Sequence, residues 1–171
     1  MRFNAMFILS FFGIAMGGCA SVPPAPHQVG PTAAAAGDPA VVRATAVEAS
    51  DAAIMAVSLV GTPYAAGGGS PESGFDCSGL VAYVFARAAQ ARLPRNTFDL
   101  SQAGAAVAPG ELQAGDLVFY NTQRRPFSHV GIYLGQSRFV HAPSTGGAVR
   151  IEDMGVRYWS QRFDGARRLS F

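Results

Sequence analysis

Phe75-Asp76-Cys77-Ser78-Gly79-Leu80-Val81 opens a helix. Asp76 has the short polar side chain of an N-cap, able to accept from the first unpaired backbone N–H groups. From Cys77 to Ala91, the apolar residues Leu80, Val81, Val84, Phe85 and Ala88 fall on one face of a 3.6-residue period, so the helix must pack on a partner. Cys77 is its first residue. There the helix dipole and the free N–H groups favour a negative charge, which predicts a lowered thiol pKa.

Working outward, Val41 to Val60 reads as an earlier helix, with Val47, Ile54 and Val57 along one stripe and Gly61 as its stop. A glycine-rich loop, Gly67-Gly68-Gly69 and then Ser70-Pro71-Glu72-Ser73-Gly74, joins the two helices. Thr97 to Gln102 predicts a short third helix, closed by Gly104. Beyond Gly110 the character changes to strands: Leu117–Tyr120, His129–Leu134, Arg138–His141, Ala148–Ile151 and Ala166–Phe171. In the second of these, Val130, Ile132 and Leu134 point one way while His129 and Tyr133 point the other. Helices first and antiparallel strands afterwards predict an α+β domain, with the helices packed on a central antiparallel sheet.

The chain has 171 residues, enough for one modest domain over 46–171. Its formal net charge of +2 offers no electrostatic case for nucleic acid. At the other end, Arg2 is followed by an apolar run from Ala5 to Met16, too short to span a bilayer and suited to a signal peptide over 1–18. The run ends in Met16-Gly17-Gly18-Cys19, which resembles the lipobox of bacterial lipoproteins although Met16 replaces the usual Leu. That resemblance implies lipidation of Cys19, a membrane anchor of several acyl chains, and sorting to the outer membrane facing the periplasm, since Ala20 is not Asp. The cytoplasmic membrane is the alternative destination. Residues 19–45, with Pro23, Pro24, Pro26, Pro31 and Pro39, read as a flexible tether in which His27 has no role. Only two cysteines are present, so lipid on Cys19 would leave Cys77 with no disulfide partner.

His129 begins a strand 52 residues after Cys77, and His141 ends the next strand 12 residues later. A hairpin through Gly135-Gln136 would bring the two rings together, one as base for the thiol and the other to orient it. Composition alone leaves a structural role open for all three. A zinc site built from the same residues is the other alternative, set aside because of the helix-start cysteine.

Several words narrow this. Gly61-Thr62-Pro63-Tyr64, Phe75 to Val81, Leu93-Pro94-Arg95, Gly115-Asp116-Leu117-Val118-Phe119-Tyr120, His129 to Gly135 and Phe139-Val140-His141-Ala142-Pro143 together resemble the NlpC family of papain-like cell-wall peptidases, in order from about Ala49 to Arg168. The resemblance implies a papain-like fold and a cofactor-free, single-copy peptidase acting on peptidoglycan stem peptides. By position it implies Cys77 as nucleophile, His129 as base and His141 as the residue orienting it. It implies Tyr64 beside the nucleophile, Asp76 and Ser78 at the amino end of the stem peptide, and Arg95 as a weaker substrate contact. Ala65 and Ala66 stand where the family often has Trp, so an aromatic wall of the cleft is missing. Asp116 is expected to serve as a turn or buried hydrogen-bonding residue and Trp159 as a core plug. The rival readings are an inactive wall-binding lipoprotein and a papain-like amidase or acyltransferase on another substrate. The bond cut stays open between D-glutamyl–diaminopimelate and the cross-link.

Overall fold

Helix α1 runs over residues 50–58 in the computed structural model, which describes residues 50–144 and 146–171. The expected leader, the tether, Cys19 and Val47 lie outside the described residues. Gly61, at φ 93°, ends the α1 segment as expected, and its N–H donates to the Val149 carbonyl at 2.9 Å. The buried face of α1 differs from the expected one. Ile54 and Val57 are 69% and 43% exposed, while Ala52, Ala56 and Leu59 enter the core. A 3.6-residue period identifies a stripe but does not say which stripe meets the core, and here the alanines permit a closer approach than branched side chains would.

Two short strands, β1 (Gly69–Ser70) and β2 (Gly74–Phe75), pair antiparallel just before α2 (Cys77–Ala88). α2 stops three residues short of the expected Ala91, because Gln90 turns the chain with a left-handed φ of 52°. Leu80, Val81, Val84 and Phe85 are buried as their spacing predicts. α3 (Thr97–Gln102) is capped by Asn96, whose side chain accepts from the Asp99 N–H.

Six strands make the main sheet: β3 (Ala105–Val107), β4 (Leu117–Tyr120), β5 (His129–Gly135), β6 (Arg138–His141), β7 (Arg150–Asp153) and β8 (Phe163–Arg168). Their order is β3-β8-β4-β5-β6-β7, and every pair is antiparallel. Helices packed on this sheet form the expected α+β, papain-like arrangement. One sheet face, with Leu117, Phe119, Val130, Ile132 and Val140, meets α2 in the larger core. The other face, with Val118, Tyr120, Tyr133 and Phe139, is closed by Trp159 from the short helix α4 (Arg157–Ser160). Alternation along β5 therefore sorts its side chains between two cores, as the sequence pattern predicts.

The last two strands are displaced from their expected spans. Ala148 pairs with Pro63, and Val149 exchanges hydrogen bonds with Gly61 and Thr62, so the segment before Arg150 is tied to the loop after α1. β8 begins at Phe163 and ends at Arg168 because its anchor is polar. Asp116 is buried, and Arg168 donates to both of its carboxylate oxygens, at 2.8 and 2.7 Å. Asp116 thus has the buried hydrogen-bonding part expected of it. β1, β2, β3 and α4 carry no periodicity long enough to announce them in the sequence.

Candidate active site

Asp76 organises the start of α2. Its Oδ1 accepts from the Gly79 N–H and the Ser78 hydroxyl, and its Oδ2 accepts from the Gly67 N–H at 3.0 Å. The Ser78 hydroxyl also lies 2.8 Å from the Arg95 carbonyl, and the Arg95 guanidinium donates to the Gly67 and Gly68 carbonyls at 3.1 and 3.0 Å. Gly79 meets this loop so closely that a Cβ there would collide with the Gly68 carbonyl oxygen, which explains the glycine. These contacts hold Cys77 at the mouth of the helix. Asp76, Ser78 and Arg95 all point their polar atoms into this clamp and lie outside the lining of the main cleft.

The cleft encloses about 700 Å³ and is lined by Tyr64, Cys77, His129 and Trp159, among others. Tyr64 is placed by pairing: it bridges Phe75 in parallel, and its N–H donates to the Gly147 carbonyl at 2.8 Å. Burial, followed by the nearby charges of Cys77 and Asp76, keeps its phenol protonated above the ordinary range.

His129 and His141 meet through Nε2 of the first and Nδ1 of the second, 2.7 Å apart. The β5–β6 hairpin produces this contact, turning through Gln136 and Ser137, both at left-handed φ. Between the two histidines lies Gly131, where a Cβ would stand 2.6 Å from the Phe139 ring and 2.8 Å from the Val140 carbonyl. Trp159 stacks on His129 with ring centroids 5.9 Å apart and meets His141 edge-on at 5.0 Å. Both histidines are buried, which pushes their pKa values down, that of His129 to about 4. The neighbouring His129 and the Arg150 charge add to the depression at His141. Both rings are therefore neutral at pH 7.

Cys77 departs from the expected direction. Burial pushes its thiol above the ordinary range and the Asp76 charge adds to this, while backbone N–H groups of Val130, Ser78 and Cys77 itself pull the other way. Desolvation at this depth outweighs the helix end. The cleft thus holds a neutral thiol and a neutral imidazole. The engaged Nε2 leaves Nδ1 as the free nitrogen of His129, while Nε2 of His141 is buried with no partner among the described residues. Among the described residues, no group of three or more His, Cys, Asp or Glu side chains is arranged to hold a metal ion.

The cleft contains residues that the sequence pattern did not single out. Arg150 and Glu152 line it from β7, and Tyr158 from α4. The alternation of Arg150 and Glu152 across Ile151 was the available signal, obscured by the displaced strand boundary. Trp159 is a core plug as expected, and it also walls the cleft.

The family model described as NlpC/P60 family matches residues 61–168. The chain is 41% identical over 113 residues to the murein DD-endopeptidase MepH of Escherichia coli, covering 64% of this chain and 42% of that protein. It is 40% identical over 125 residues to a probable endopeptidase of Haemophilus influenzae, covering 68% of this chain and 76% of the relative. Among solved structures, the peptidoglycan hydrolase RipB of Mycobacterium tuberculosis superposes with a TM-score of 0.62 at 33% identity, over 75% of this chain and 68% of that one.

Proposed function

Since this chain belongs to the NlpC/P60 family, we propose that it is a cysteine peptidase that hydrolyses an amide bond in the stem peptides of peptidoglycan. One observation carries the proposal: the Cys77 thiol and the His129 ring line the same cleft, and His129 is joined behind it to the buried His141. For Nδ1 of His129 to accept a proton, Nε2 must carry the hydrogen and donate it to Nδ1 of His141. His141 then orients the base through that bond.

In the first step, Nδ1 of His129 takes the thiol proton as the sulfur attacks the amide carbonyl carbon. Backbone N–H groups at the start of α2, with the Tyr64 hydroxyl, stabilise the oxyanion. The imidazolium returns its proton to the leaving amine as the C–N bond breaks. Water, deprotonated by the same ring, then cleaves the thioester, freeing the carboxylic acid and restoring the thiol. A neutral starting pair suits this sequence because the ion pair needs to form only once substrate has displaced water. Both catalytic groups come from one chain, so a single copy is sufficient.

Likeness to a murein DD-endopeptidase favours the cross-link between stems over the D-glutamyl–diaminopimelate bond. Digestion of purified peptidoglycan by the wild type and by Cys77→Ala, with mass analysis of the fragments, tests the activity and identifies the bond. Cross-linked dimers should be converted to monomers by the wild type only; equal conversion by Cys77→Ala overturns the reading. We further infer that Cys19 carries the lipid anchor and that the enzyme works at the outer membrane, where residues 19–45 limit its reach. Cys19→Ser should move the protein from the membrane fraction to the soluble one, and continued sedimentation with membranes would contradict the anchor.

A further inference from the structure

We propose that Arg150 is the carboxylate-recognising residue of the cleft, that Glu152 positions its guanidinium, and that substrates are selected for a free carboxylate near the scissile amide. This rests on the peptidase reading above and extends it to substrate choice.

Strand pairing places the two residues. In the β6–β7 register, His141 is opposite Arg150 and Phe139 is opposite Glu152. Directly paired residues of antiparallel strands project to the same face, so Arg150 and Glu152 share the face of His141. Both line the cleft that contains Cys77 and His129, and among the described residues they are its only formally charged lining residues at neutral pH. The Arg150 Nε–H donates to Glu152 Oε1 at 2.7 Å. Its two terminal Nη groups have no partner among the described residues. A guanidinium held at Nε with its Nη groups open presents the donors that a carboxylate takes, and the planar fork loses little freedom on binding.

Charged residues on an edge strand also have a blander use, discouraging pairing with another chain. Arg138, on the interior strand β6, keeps its charge outside this cleft, donating to Gln136. Arg150 instead turns its charge toward the catalytic rings, close enough to help keep His141 neutral. An exposed ion pair on its own contributes little to stability. Arg150 therefore has little structural reason to face a cleft. The stem peptide has a matching group: diaminopimelate carries two carboxyl groups, and one remains free when the other lies within the peptide chain.

The experiment compares two soluble muropeptides, one with that diaminopimelate carboxylate free and one with it converted to the carboxamide, as substrates for wild type, Arg150→Gln and Arg150→Lys. Wild type should prefer the free acid by roughly ten- to a hundredfold in kcat/KM, the range expected of a charge-assisted contact. In Arg150→Gln this ratio should collapse toward one, mainly through KM for the acid. Arg150→Lys, which keeps the charge without the fork, should fall between. Thermal unfolding establishes that both variants are folded. A wild-type ratio near one, or a folded Arg150→Gln that keeps the wild-type ratio while losing kcat on both peptides alike, would overturn the inference. Failure of the wild type to cut either muropeptide would instead remove the peptidase reading on which it rests.

Discussion

At the Cys77 end of the cleft, the holding groups are polar. Asp76 caps α2 through Gly79 and ties down Gly67, while the Arg95 guanidinium secures the loop carbonyls. At the His129 end, the holding groups are aromatic and come from three separate elements: Trp159 from α4 stacks on the ring and is itself packed by Phe139 from β6 and Tyr120 from β4. Hydrogen bonds of fixed direction place the sulfur, and packing of large planar rings places the base. Polar clamping near the chain tolerates some loss because several bonds share the load. A ring held by packing moves as soon as its neighbour is cut away.

Removing the reacting group at either end should have the largest effect. Cys77→Ala should lower stem-peptide hydrolysis by about 10⁴-fold or more, and His129→Asn by about 10³-fold. His141→Asn should cost only about ten- to a hundredfold, because the stacked Trp159 still holds the His129 ring. Rate measurements on one soluble muropeptide compare all three. A His141 variant more damaged than the His129 variant would exchange their roles.

The supports should separate the two ends next. Trp159→Ala should cost about 3–5 kcal/mol of stability through the cavity it leaves, and should lower kcat as well, since His129 loses its stacking partner. Asp76→Ala should cost about 1 kcal/mol for the lost cap. Urea unfolding alongside hydrolysis would reveal the contrast. Equal losses at both positions would mean that packing holds the base no more strongly than the cap holds the sulfur.

The smallest effect is on pH dependence, and its sign differs between the ends. Buried His129 and His141 resist protonation when folded but accept it when unfolded. Stability should therefore fall as pH drops below the ordinary histidine value, by about 1 kcal/mol per histidine between about pH 7 and about pH 5.5. The Cys77 thiol is raised, so its contribution is present below the ordinary thiol range and lost in alkali as the unfolded chain ionises first. His141→Asn should flatten the acid limb of a stability–pH curve, and Cys77→Ala the alkaline limb. An unchanged acid limb in His141→Asn would show that the ring is not held neutral by burial.

Helix and strand types were readable wherever apolar spacing persisted. The face of α2, the span of α3 and the two-sided alternation of β5 follow from local periodicity, which burial then rewards. The cap at Asp76 was readable for the same reason, since the bond is made within three residues. The buried face of α1 was not, because Ile54, Val57 and the alanines trace equally good stripes and only the partner surface distinguishes them. The start of β7 and the end of β8 were also hidden, one displaced by a bridge to Pro63 and the other anchored by a carboxylate 52 residues away.

The sequence by itself determined where the candidate thiol and imidazoles stand and the order of the elements that bear them, since both are written in residue type and short-range spacing. Only the tertiary structure decided the protonation states and the rest of the cleft. Thiol and imidazole pKa values depend on how much water is excluded around them, and that depends on Trp159 and β5 arriving from elsewhere in the chain. Arg150 entered the cleft in the same way, through its register with His141. Desolvation and strand register are properties of what lies alongside a residue in space, and no window of neighbouring residues contains them.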